Sequence, residues 1–351
     1  MIVNPVLGIF FHALGGFSAG SFYIPFKRVR NWAWEVYWLV GGVFAWLVAP
    51  IFVSLLAVPD LSALLDDITL NMIIWPYVFG VLWGIGGLTF GLTMRYLGMS
   101  LGMAMALGLT ATFGTLVPPI YFGQAGNLVA HLSGIVTLMG VGVCLIGIFI
   151  TGRAGMQKDR ELSEDEKKAS IEEFDFKKGI WVALFAGIMS ACFAFGIAAG
   201  KPIAQKAIEL GTPVLFSNSP VFIFIMAGGF TTNFIWCVSL SLKNKTFYDY
   251  IKNNGNTPRL NNYFFSALAG ITWYCQFLFY GMGTTQMGKY DFASWSIHMA
   301  FIIVFSNMWG LILREWKGSS KRTIKIIITG LIVLIFSTFV IGVGNYIQQF
   351  E

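Results

Sequence analysis

Two histidines in this 351-residue chain sit in stretches with no other side chain able to exchange a proton near neutral pH. His12 lies in VLGIFFHALGG and His298 in WSIHMAFII, and an imidazole in apolar surroundings can take up and release a proton within the physiological range. Asp291, seven residues before His298, is the nearest carboxylate and a third candidate to carry the proton, and Lys201 is a cation at a comparable position elsewhere in the chain. A second set of residues could hold a neutral, hydroxyl-rich molecule. The string ITWYCQFLFYG carries Trp273, Tyr274, Gln276 and Tyr280, while Trp83, Ser294 and Trp295 supply the same chemistry elsewhere. Aromatic faces suit C–H surfaces, and amide, hydroxyl or imidazole groups suit hydroxyls. Each aromatic has a plainer reading as bundle packing or interfacial belt, and each histidine as a neutral ring satisfied by a helix carbonyl.

The elements that must place these groups are set by composition. Hydrophobic residues make up 56% of the chain and charged ones 11%, where soluble domains carry about 25% charged residues. A water-soluble fold is excluded. Cys144, Cys192, Cys237 and Cys275 are each enclosed in an apolar run, which reads as small hydrophobes rather than a disulfide framework or metal cluster. The net charge of +6 reflects loop charges between apolar segments and not a basic face for nucleic acid. No P-loop, HExxH or GxSxG string occurs, so neither catalysis nor a cofactor is expected. The N-terminus has no basic region or cleavage site, which makes the first apolar segment a retained span rather than a signal peptide.

A helix needs about 20 apolar residues to cross the hydrocarbon. Such runs lie near 5–26, 36–57, 72–95, 99–122 and 130–151, and again near 179–200, 214–242, 263–285, 291–313 and 324–346. Of the 23 Lys and Arg residues, 20 lie in odd-numbered loops, so the positive-inside rule puts those loops in the cytoplasm and both termini outside. The polar stretch Arg153 to Lys178 reads as a cytoplasmic linker between residues 1–152 and 179–351. Lys27, Arg28, Arg30, Glu35 and Arg95 gather at inner helix ends, where snorkelling accounts for them. Asp291 and Lys201 fall at outer ends, where they either pair across a vestibule or anchor at the interface. His12 and His298 both fall seven residues in from the outer ends of their spans, about 10 Å deep at 1.5 Å per residue, so they could share a cavity.

A shift of 190 residues aligns Gly80 with Gly270, Trp83 with Trp273, Gly91 with Gly281, Gly98 with Gly288 and Gly140 with Gly330. Five crossings repeated in tandem reverse direction, so the predicted architecture is an all-α integral membrane protein of ten transmembrane helices in two inverted five-helix repeats. Such repeats rock about a site near the midplane. Small residues four apart, as at Gly16/Gly20 and Gly80/Gly84, favour close helix packing, and Pro25, Pro118 and Pro119 read as span terminators.

Three segments carry a resemblance to a known family: FYIPFKRVRNWAWE (Phe22 to Glu35), WGIGGLTFGLTMRYLGMSLG (Trp83 to Gly102) and WYCQFLFYGMGTTQMGKYDFASWSIHM (Trp273 to Met299). The string GIFFH ending at His12 and the Lys-Pro pair at 201 and 202 are in register with them. The chain resembles the bacterial L-rhamnose-proton symporters of the drug/metabolite transporter superfamily. That likeness implies uptake of L-rhamnose with a proton across the bacterial inner membrane. Gly87 stands where the family pattern carries Asn after WGIG, so no side chain there can bond a sugar. Other readings the residues allow are a transporter of the same superfamily with a different solute and a non-transporting membrane sensor.

Overall fold

The computed structural model describes residues 4–97, 99–121, 123, 125–161, 175–251 and 259–351. Every regular element among the described residues is helical. The long helices are α1 (Pro5–Ser21), α2 (Trp34–Ala57), α3 (Leu70–Leu97), α4 (Met99–Tyr121), α5 (Leu132–Glu161), α6 (Phe176–Ala199), α7 (Ser219–Asn244), α8 (Arg259–Thr284), α9 (Ser294–Ile312) and α10 (Lys321–Ile347). Among the described residues eight helical segments are long and apolar enough to cross a membrane. The exceptions are α4, whose apolar run is the shorter Met105–Tyr121, and α8, which opens on Arg259, Asn261 and Asn262 and carries Gln276.

Chain chemistry explains where these helices start. Asn4 accepts from the Leu7 amide at 3.1 Å, Asp175 from Lys178 at 3.0 Å and Ser320 from Thr323 at 3.2 Å, each satisfying an amide that the first turn leaves open. Pro118 and Pro119 lie in the last turn of α4, as terminators should. Helix α5 runs on to Glu161, into the stretch read as a linker, and residues 162–174 of that stretch lie outside the described residues. Large apolar side chains such as Leu56, Phe149, Trp181 and Phe339 point outward, the arrangement expected of a lipid-facing surface.

Helix α1 packs on α8 and α9, α6 on α3 and α4, α2 on α7 and α8, α3 on α7, and α5 on α10. In the last pair, a Cβ on Gly140 would meet Ile341, one on Gly147 Leu334, and one on Gly330 Thr151. The position number rises on one helix as it falls on the other, so α5 and α10 run antiparallel. Bare glycine is what lets the backbones come this close. Gly80 likewise lies against Ile225 and Gly228 at the α3–α7 crossing, and Gly270 against Gly41 at the α8–α2 crossing.

Polar contacts sort the loops onto two faces. On one, Lys27 meets Glu315 at 3.5 Å, Asn262 brackets the Arg30 backbone at 2.8 and 3.1 Å, and Glu161 accepts from the Ser320 hydroxyl and amide at 2.6 and 2.7 Å. This is the face of the basic loops. On the other, Lys201 pairs with Asp291, Lys206 with Asp67, and Ser133 with Glu351. Hydrogen bonds from Ser133 hold the Glu351 carboxyl below the ordinary carboxylate pKa. Glu35 departs from the snorkelling expectation. It is buried and its Oε1 accepts from Asn244 Nδ2 at 3.0 Å and Thr246 Oγ1 at 2.9 Å, tying α2 to the end of α7. A carboxylate satisfied by two donors has no need to reach the headgroups.

Candidate functional site

Helices α1 and α9 bring the two histidines together. The ring centroids of His12 and His298 lie 6.2 Å apart, both rings fully buried. Glycines make the room. A Cβ on Gly283 would come within 2.6 Å of the His12 ring, and one on Gly15 within 3.0 Å of the His298 ring and 2.9 Å of the Gln276 carbonyl oxygen. Tyr280 covers both rings at 5.4 and 5.1 Å, and Trp295 stands 5.5 Å from Tyr280 and 6.4 Å from His298. No hydrogen bond of good geometry reaches the four imidazole nitrogens among the described residues, although the His12 backbone lies beside the His298 ring, and the buried Ser294 Oγ and Tyr274 hydroxyl are likewise unmatched. The histidines therefore share a packed cluster, not an open cavity. Unpaired polar atoms at such depth cost about 1–3 kcal/mol each.

The remaining residues singled out from sequence divide. Tyr280, Trp295, Ser294 and Gln276 join the histidine neighbourhood, all buried. Trp295 spends its indole N–H on the Thr110 carbonyl at 3.1 Å and its ring rests against Gly114, so part of its work is joining α9 to α4. Asp291 bonds neither histidine. On the face opposite the basic loops it pairs with Lys201 at 2.9 Å. Trp83 and Trp273, repeat mates in the sequence, stack on each other at 5.6 Å with an interplanar angle of 22°.

Rings bridge the two groups without a break. From Trp273 the contacts pass to Phe277 at 4.7 Å, to Phe193 at 4.5 Å, and from Phe193 to Tyr280 at 6.1 Å and Trp295 at 5.7 Å. Beyond Trp273 the chain of rings reaches Trp46 at 5.2 Å and Phe22 at 6.5 Å. There a small apolar cavity opens, lined by Phe22, Phe26, Trp38, Trp46 and Trp273 around Gly41, Gly42, Ala45, Ala269 and Gly270. Sequence reading missed this cavity apart from Trp273. The string WAWEVYWLVGGVFAW, in which indoles flank a Gly-Gly pair, was the available signal.

The region thus combines a buried histidine pair, an aromatic column and a small apolar cavity, within a bundle of apolar helices. Comparison with known proteins bears on what passes through it. Residues 1–346 match the family L-rhamnose-proton symport protein (RhaT). The L-rhamnose-proton symporter of Cronobacter sakazakii is 39% identical over 340 residues, which cover 96% of this chain and 97% of that protein. Those of Salmonella paratyphi B and Salmonella newport are 39% identical over 342 residues, with the same two shares. Likeness at this level across nearly the full length, on a helical bundle with its titratable groups turned inward, leaves one conclusion: the chain belongs to the L-rhamnose-proton symport protein family.

Proposed function

We propose that this chain imports L-rhamnose together with a proton by alternating access, as a multi-pass protein of the inner membrane. The observation that carries the reading is family membership over residues 1–346. The architecture we infer is ten spans in two inverted five-helix repeats, residues 1–152 and 179–351, joined through a cytoplasmic segment at 153–178, with both termini periplasmic. Helix packing supports it. Exchanging each helix for the one five places along turns α1 on α8 and α9 into α6 on α3 and α4, and α2 on α8 into α7 on α3. The antiparallel run of α5 against its mate α10 is what inversion requires. The positive-inside rule assigns the basic-loop face to the cytoplasm.

In this reading the proton is carried by His12 and His298, or by Asp291, which pairs with Lys201 on the periplasmic side. Two charged rings 6.2 Å apart would repel by about 3 kcal/mol at an effective dielectric constant near 20, so the pair holds one proton at a time. Protonation favours sugar binding in the outward-open state, and proton loss on the inner side releases both. Gln276, Tyr274, Tyr280 and Ser294 offer polar atoms to hydroxyls, and Trp83, Trp273 and Trp295 offer faces to the sugar ring. Rhamnose is neutral, so each cycle moves one charge. At about 2.3 kcal/mol per 100 mV this sustains roughly fifty-fold accumulation. The test is a proteoliposome assay in which external L-rhamnose is added and internal pH followed. Acidification that depends on rhamnose is expected, and its absence alongside intact sugar-independent membranes would overturn the reading.

A further inference from the structure

We propose that the connection between α1 and α2 is the inner gate of the translocation path, held shut by Asn262 of the opposing half. The proposal rests on the symport reading and adds to it a moving part. Residues 27–33 leave the helical pattern, and Asn31 turns the chain at φ 57°, a left-handed conformation that asparagine tolerates better than most residues. The polar anchors of this connection lie in the opposing half. Asn262, buried at the start of α8, accepts from the Arg30 amide at 3.1 Å and donates to the Arg30 carbonyl at 2.8 Å, so one side chain satisfies both main-chain groups of one residue. Asp249 accepts from the Ala33 amide at 3.3 Å, and the Trp32 ring stands edge-on to Tyr263 at 4.9 Å. Tyr263 is itself fixed, its hydroxyl donating to the Tyr250 carbonyl at 2.9 Å. Glu35, which accepts from Asn244 and Thr246, fastens the same seam at the first turn of α2.

On its other side the connection is held by rings. Phe26, buried just ahead of it, packs on Tyr37 at 5.0 Å and Trp38 at 6.1 Å, both in α2. The two boundaries differ in what parting them entails. Parting rings bares apolar surface, whereas main-chain amides and carbonyls parted at the basic face exchange a protein partner for water at little net cost. The connection therefore stays with α2 when it leaves α8, and the hydrogen-bonded seam is the line along which one repeat rocks from the other. Position gives the seam its meaning. Phe22 ends the run of rings that leads from the histidine pair through Trp273, and the small apolar cavity lined by Phe22, Phe26 and Trp38 is a packing gap directly behind the connection. The bracket that Asn262 forms thus lies between the ring column and the face of the basic loops.

Two measurements on the full chain test the gate. Arg30→Cys combined with Asn262→Cys sets a thiol on each side of the seam, and L-rhamnose counterflow is followed in liposomes. Oxidation with copper phenanthroline should cut counterflow at least tenfold and dithiothreitol should restore it, with the unaltered chain under the same treatment as background. In the second, Ala45→Cys places a thiol in the wall of the gap behind the connection. Adding Asn262→Ala should speed its labelling by an impermeant maleimide in inside-out vesicles about tenfold, as expected for the loss of one or two hydrogen bonds. If the cysteine pair cross-links, as loss of both free thiols shows, and counterflow continues at the reduced rate, the connection is a fixed joint and the gate is overturned while the symport reading stands. If the unaltered chain exchanges no rhamnose, the symport reading fails. Should the cysteine pair fail to fold or to cross-link, the labelling ratio decides alone, and a ratio of one overturns the gate.

Discussion

Consider His12→Leu and His298→Leu, made singly and together in the full chain. Each neutral imidazole carries one donor and one acceptor, and no hydrogen bond of good geometry reaches either ring among the described residues. Leaving two such groups unmade in a buried place costs at least about 2 kcal/mol. Leucine removes that cost. It also removes ring contacts: for His12 these are Tyr280 at 5.4 Å and His298 at 6.2 Å, together worth about 1 kcal/mol. The balance is a gain of about 1 kcal/mol, so each variant should melt at the same temperature as the parent or about 2 °C higher. Sugar-driven proton movement, followed by an internal pH dye in liposomes, should fall by a factor of ten or more. Stability and coupling then move in opposite directions, as expected where a strained group is kept for function. A drop of several degrees in melting temperature with proton movement unchanged would refute the argument, because it would make the pair a structural joint.

Three further outcomes are expected. Gly140→Val and Gly330→Val, at equivalent positions of the α5–α10 crossing, should each lower stability by about 1–3 kcal/mol in thermal unfolding, since a Cβ there already meets Ile341 or Thr151 at 2.6 Å. Asp291→Lys should raise maleimide labelling of a cysteine placed on the Lys201 side, by no more than about fivefold because the pair is half exposed, and combining it with Lys201→Asp should restore the parent rate. Glu35→Ala leaves Asn244 and Thr246 without their acceptor and should cost about 3 kcal/mol in the same unfolding assay, while Glu35→Gln, which keeps an oxygen acceptor at that place, should cost less.

Helix positions were readable because hydrocarbon thickness sets a length that apolar runs must meet. The stretch 99–122 corresponds to Met99–Tyr121, and 36–57 to Trp34–Ala57. Ends were less readable: α5 continues past residue 151 to Glu161, because backbone hydrogen bonding persists where the side chains have already become polar. The meeting of His12 and His298 was foreshadowed by their equal depth. What sequence could not indicate was which of many aromatics turn inward. With 12 Trp and 33 Phe, most helices carry several rings, and the π-helical segment around Trp46 leaves no mark in a 3.6-residue pattern. Glu35 was misread for another reason: its partners lie 209 and 211 residues away, and proximity in sequence supplied only cations.

The two crossings that carry Gly-Gly pairs are alike in design and unlike in occupancy. At α7 the notch at Gly229 is filled by the indole of Trp83, within 2.7 Å of where a Cβ would be. At α2 the notch at Gly42 holds only the edge of Trp46, and empty volume remains beside Trp273. Trp83 and Trp273 lie face to face between the two notches, 5.6 Å apart, so the filled crossing and the unfilled one meet at a single pair of stacked rings.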